Sequence, residues 1–149
     1  MRRGLSATEA DLPAFVLAFS EWVEACWFAE HDTVDNRLQA VLGFPADVVL
    51  VGSLSLLAQL LQAFKPGDEV EIAAALADHL IIMGPDPERQ ALIHDVVLGA
   101  GASPPTRVAL LARHGAEAVT RTALECASVL AQAMANRQGV VPSSILLDL

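Results

Sequence analysis

The chain has 149 residues, 54% of them hydrophobic, with 18 acidic against 9 basic side chains and a formal net charge of −9. That hydrophobic content excludes intrinsic disorder, and two cysteines are too few for a small disulfide-stapled scaffold. The length predicts one domain, 1–149, able to bury a core without metal or disulfide support.

The charge excludes a nucleic-acid surface, which needs several Lys or Arg on one face. Lys65 is the single lysine, and the first 75 residues carry four basic against eleven acidic side chains. Such a field repels phosphates and anionic lipid headgroups alike, so neither nucleic acid nor membrane is expected as a partner. Arg2 and Arg3 are followed by Glu9 and Asp11 before any apolar run, which does not fit a secretory signal. Cys26 and Cys126 read as reduced thiols of a cytoplasmic protein. Eight arginines to one lysine is compatible with a GC-rich bacterial genome.

High Ala (26) and Leu (22) with no Tyr favours helix over strand. Ser6-Ala7-Thr8-Glu9 reads as a capping box. From there Leu12, Phe15, Val16, Phe19, Trp22, Val23, Cys26 and Trp27 recur at spacings of three and four, predicting an amphipathic helix to about Glu30. Phe15, Phe19, Val23 and Cys26 are placed inward and Glu21 and Glu24 outward, and Pro13 is tolerable only near the helix start.

Thr33 caps a short helix through Leu38, Val41 and Leu42, ended by Gly43 and Pro45. A helix from Ala46 to Phe64 follows, ended by Lys65-Pro66-Gly67. Its stretch from Val48 carries no charge and approaches the length of a membrane span. Gly52, Ser53, Ser55, Gln59 and Gln62 interrupt it and Asp47 precedes it, so it reads as a core or interface helix.

Asp68 caps the next helix, whose buried stripe is predicted as Val70, Ala73, Ala74, Ala77, Leu80 and Ile81. Gly84-Pro85-Asp86-Pro87 breaks the chain and restarts it, with Asp86 as N-cap and Pro87 in the first turn. Ala91, Leu92, Val96 and Val97 then lead to Gly99 and Gly101. Ser103-Pro104 repeats the cap-then-proline device, with Val108, Leu111 and Ala112 as the apolar residues. Gly115 kinks or separates two helices. Val119, Ala123, Cys126, Leu130 and Ala133 share one face of the last long helix, which stops at Gly139. Residues 140–149 form a C-terminal tail. The fold class is a compact all-α, single-domain bundle of six or seven helices.

Histidines stand at 31, 79, 94 and 114, none three or four apart, so no helix offers two imidazoles to one metal. No Glu-x-x-His occurs, and neither cysteine has a second thiol nearby. His94-Asp95, on a predicted helix, resembles the His-Asp core of the HD phosphohydrolases, an all-helical family of metal-dependent enzymes. The resemblance implies a metal shell completed by an upstream His and a downstream Asp, roles open to His79, His94, Asp95 and His114. The chain departs from the pattern: His79 is only 15 residues upstream, and Asp148 is the first aspartate after Asp95. The plainer reading of His94-Asp95 is a polar pair at a helix surface.

His31 with Asp35 and His114 with Glu117 have the spacing of imidazole–carboxylate pairs, which more often are helix-surface contacts than general bases. Gly99, Gly101 and Ser103 resemble the start of a nucleotide loop, but no predicted strand precedes them and no Lys follows, so they read as a helix stop. Cys26 and Cys126 fall on apolar stripes, away from the electropositive setting of a reactive thiol. No catalytic residue and no cofactor is assigned.

The apolar excess is the strongest signal. It predicts a non-catalytic interaction or assembly module, acting as a homodimer through an apolar helix face centred on Leu50, Leu54, Leu57 and Leu61. The alternative is an internal pocket for a small apolar ligand, lined by Trp22, Trp27 and Phe64. A protein partner other than a second copy fits the same surface. The HD-like phosphohydrolase is the third reading.

Overall fold

Apolar residues at helical spacing, punctuated by Pro and Gly, produce an all-α chain. The computed structural model describes residues 3–64, 67–101 and 103–149, with the backbone alone for 3–10 and 104. Its helices are α1 (Arg3–Trp27), α2 (His31–Leu42), α3 (Ala46–Phe64), α4 (Glu69–Leu80), α5 (Pro87–Gly99), α6 (Pro104–His114), α7 (Ala116–Gln138) and α8 (Pro142–Leu146). Two units are distinguished, Met1–Gly52 with Ala131–Leu149, and Ser53–Leu130. The divisions fall inside α3 and inside α7.

In the first unit α1 packs on α2 and on α8. Phe15, Phe19 and Val23 are fully withdrawn from solvent, as their spacing predicts, and Trp22 joins them. The rings interlock edge-on: Phe15 meets Phe44 with centroids 5.8 Å apart, and Phe19 meets Trp22 at 5.6 Å. Cys26 is only half-buried. Glu21 is exposed beside Arg37 at 3.6 Å, but Glu24 is not an outward residue. Its Oε2 accepts hydrogen bonds from the Ser143 backbone N–H and hydroxyl, which fastens α8 onto α1. Residues 140–149 therefore include a short helix that buries Ile145 and Leu146.

Several helix ends differ from their sequence signals. α1 begins at Arg3, so Ser6 lies inside the helix instead of capping it; the side chains of Ser6 and Glu9 lie outside the described residues. Pro13 is likewise inside α1. Its ring is exposed, but it forfeits the bond that its missing N–H would make and crowds the carbonyl four residues back, a cost of about 3 kcal/mol. α2 starts at His31 instead of after Thr33, whose hydroxyl donates back to the Glu30 carbonyl at 3.1 Å. The α1 terminus turns through Ala29 at φ 55°, with Glu30 N–H bonding the Ala25 carbonyl at 2.9 Å. α7 ends the same way at Gly139 (φ 71°), where Val140 N–H bonds the Ala135 carbonyl at 3.0 Å. Glycine adopts this left-handed conformation freely, whereas at Ala29 the Cβ costs about 1 kcal/mol or more.

In the second unit α4 packs on α5 and α5 on α6. Asp86 caps α5, its Oδ1 accepting from the Arg89 N–H at 3.1 Å, with Pro87 in the first turn as predicted. Gly115, at φ 88°, separates α6 from α7. Two buried stripes are rotated from their expected positions. α4 buries Ile72, Ala73, Leu76 and Ala77 while Val70 and Ala74 are exposed, because Ile and Leu withdraw more apolar area than alanines do. α6 buries Leu110 and leaves Val108 and Ala112 outside. On α7 Val119, Ala123, Cys126 and Leu130 are buried as expected, but Ala133 is exposed and Met134 takes its place. Arg89 crosses to Glu125 of α7 at 3.0 Å, a pair about one-third exposed.

Gly52 of α3 lies directly against Phe15, whose ring leaves no room for a side chain. A Cβ at this position would sit 2.6 Å from Phe15 Cδ2. Gly52→Ala gains about 1 kcal/mol of helix propensity, but forcing the buried ring aside costs about 1–3 kcal/mol. We expect net destabilisation, by up to about 2 kcal/mol, measured as a lower urea midpoint. A higher midpoint would mean that the α1–α3 approach is looser than described.

Candidate functional site

Asp95 is the residue where side-chain chemistry converges. It sits on α5, one turn before Gly99, and His114 is the last residue of α6. Gly99 faces Leu110, where a Cβ on Gly99 would lie 3.3 Å from Leu110 Cδ2. Asp95, one turn back along α5, meets His114, one turn on along α6, so the two helices run antiparallel in one register. His114 Nε2–H donates to Asp95 Oδ2 at 2.8 Å, and Arg113 approaches the same oxygen at 3.4 Å. His94 Nδ1 stands 3.8 Å from Oδ1, beyond hydrogen-bond reach. His114 and Asp95 are mostly buried, whereas the Arg113 side chain is 72% exposed.

Beside this cluster a cleft of about 260 Å³ opens between α5 and α6, lined by Asp95, Leu98, Gly99, Thr106, Ala109, Leu110 and Arg113. It offers a carboxylate and a guanidinium at one end, a hydroxyl at Thr106, and an apolar floor. The sequence reading did not foresee Arg113 or the cleft. The glycines at 99 and 101 and the four-residue step on each helix were the signals available.

The HD-like set is assembled only in part. Asp95 and His114 meet and His94 is adjacent, but His79 is exposed on α4 and makes no hydrogen bond or ion pair with them among the described residues. Among the described residues no group of three or more His, Cys, Asp or Glu is arranged to hold a metal ion. His114 bonds Asp95 instead of the anticipated Glu117. His31 and Asp35 are both exposed, with no bond between them among the described residues. Gly99 closes α5 and Gly101 lies in the turn beyond, as a helix stop predicts.

The aromatic set is not brought to the cleft. Trp22 is buried in the first unit, with its indole N–H lacking a hydrogen-bond partner among the described residues. Trp27 is half-buried at the end of α1, and Phe64 is half-buried at the end of α3.

The leucines expected at an interface are largely covered within the single chain. Leu54 and Leu57 are 0% exposed and Leu61 is 4% exposed within the single chain, while Leu50 is half-buried. α3 is long and apolar enough to cross a membrane by length and composition, yet these side chains are already covered. The turn after α5 also lies near α3, where a Cβ added at Gly101 would sit 3.6 Å from Ala58 Cβ, an ordinary contact distance.

No protein-family model, no curated protein and no solved structure matches the chain.

Both cysteines are free thiols. Burial pushes both up, Cys126 to about 12, with the Glu125 carboxylate adding to the rise and Arg89 opposing it. A raised thiol stabilises the fold fully below its unfolded value of about 8.5, and that contribution is lost as pH rises toward the folded value. We therefore expect urea stability to fall between about pH 9 and pH 11, less steeply in Cys126→Ala. An identical slope in the variant would place the alkaline loss elsewhere.

Proposed function

We propose that the chain is a non-catalytic protein-interaction module whose contact element is the loop between α4 and α5. The observation that carries this reading is the exposure of two adjacent large apolar residues, Ile82 at 79% and Met83 at 94%. Covering such side chains gives about 1.5–3 kcal/mol each, and Met adapts its shape to a partner surface. Gly84, at φ 104°, and Pro85 shape the loop that presents them.

The flanks of this loop select the partner. Asp78, Asp86 and Glu88 are exposed around it, so a complementary surface has an apolar groove with a basic rim. A second copy brings the same acidic flank and a further net charge of −9. With the α3 leucines covered, a partner of different sequence is favoured over the homodimer. The two free cysteines support a reducing, cytoplasmic setting.

Methyl NMR tests this reading with a synthetic amphipathic helix of Leu and Lys as probe, and its Leu/Glu counterpart as control. The Ile82 and Met83 methyl signals should shift with the Leu/Lys peptide only. The double variant Ile82→Ser, Met83→Ser should bind it at least about tenfold more weakly. Equal response to both peptides, or shifts that bypass the loop, would contradict the assignment. A sedimentation-equilibrium mass twice the chain's 15.7 kDa would return the argument to self-association.

A further inference from the structure

The cleft between α5 and α6 has a chemistry of its own, independent of the α4–α5 loop. We propose that it binds a free α-amino acid with an aliphatic side chain. Asp95 Oδ2 is engaged by His114 and Arg113, but Oδ1 has no partner within hydrogen-bond distance among the described residues. Asp95 lines the cleft, and His94 Nδ1, 3.8 Å from this oxygen, is too distant to occupy it, which leaves it able to accept from an ammonium group. Arg113 touches Asp95 through NH1 at 3.4 Å, which leaves further N–H donors to grip a carboxylate in a two-point bond.

The pairing of opposite charges sets the ligand class. A simple anion attracted by Arg113 meets the Asp95 carboxylate beside it, and a simple cation drawn to Asp95 meets the guanidinium. A zwitterion satisfies both, which is discrimination by repulsion as well as attraction. Leu98, Ala109 and Leu110 then offer an apolar floor to the side chain. A cleft of about 260 Å³ lies below the range of about 300–1,000 Å³ usual for drug-sized ligands, so the occupant is small.

The probe is L-leucine, titrated into the full chain by calorimetry, with amide NMR locating the site. Leucinamide, which lacks the carboxylate, and 4-methylpentanoate, which lacks the ammonium group, serve as controls. Leucine should bind saturably and shift α5 and α6 amides, with each control at least about tenfold weaker. Arg113 is exposed, so Arg113→Gln preserves the fold and should erase the difference between leucine and leucinamide. Equal affinity for leucine and leucinamide in the natural chain overturns the proposal. So does the absence of saturable binding at about 10 mM, which would fill a site with a Kd of about 1 mM.

Discussion

Withdrawal of the α3 leucines from water is the constraint on which the rest depends. Leu54, Leu57 and Leu60 are wholly buried, and Leu56 and Leu61 nearly so. Five such side chains represent on the order of 10 kcal/mol of gross burial, against a net stability that for most domains is about 5–15 kcal/mol. No other helix carries so continuous a run of large apolar residues. The neighbouring segments are correspondingly rich in alanine and glycine, which lets helices approach at Gly52 against Phe15 and at Gly99 against Leu110.

A core built this way leaves few charges, and several are committed to structure. Glu24 fastens α8, Arg89 joins Glu125, and Asp95 holds His114. These groups are partly buried, where a charge-assisted hydrogen bond contributes more than an exposed ion pair. Asp95 stands apart because it lines the cleft with Oδ2 shared by His114 and Arg113 and Oδ1 left without a hydrogen bond among the described residues. Ile82 and Met83 stand apart for the opposite reason, since they are the most exposed of the large apolar residues described. The two proposals rest on these departures from an otherwise economical fold.

Helix identity was legible because Pro and Gly mark its boundaries: Asp86-Pro87 opens α5, and Gly115 and Gly139 close α6 and α7. Helix orientation was less legible. Periodicity defines a stripe, but a step of one residue rotates it by 100°, and α4 turned toward Ile72 and Leu76 instead of Val70 and Ala74. The same ambiguity hid the covering of α3, because an apolar run has the same composition whether its own chain or a partner covers it. Of the candidate site, His94, Asp95 and His114 were singled out from the sequence. The Asp95–His114 bond depends on the antiparallel register of α5 and α6, which neither helix's own periodicity specifies.

Amide hydrogen exchange across α3 tests the central claim, that this helix is a core element and not a docking face. Amides 54–61 should exchange only through global unfolding, with protection free energies equal to the stability measured in urea. Exchange of these amides through local opening, at protection well below global stability and raised on self-association, would contradict the account.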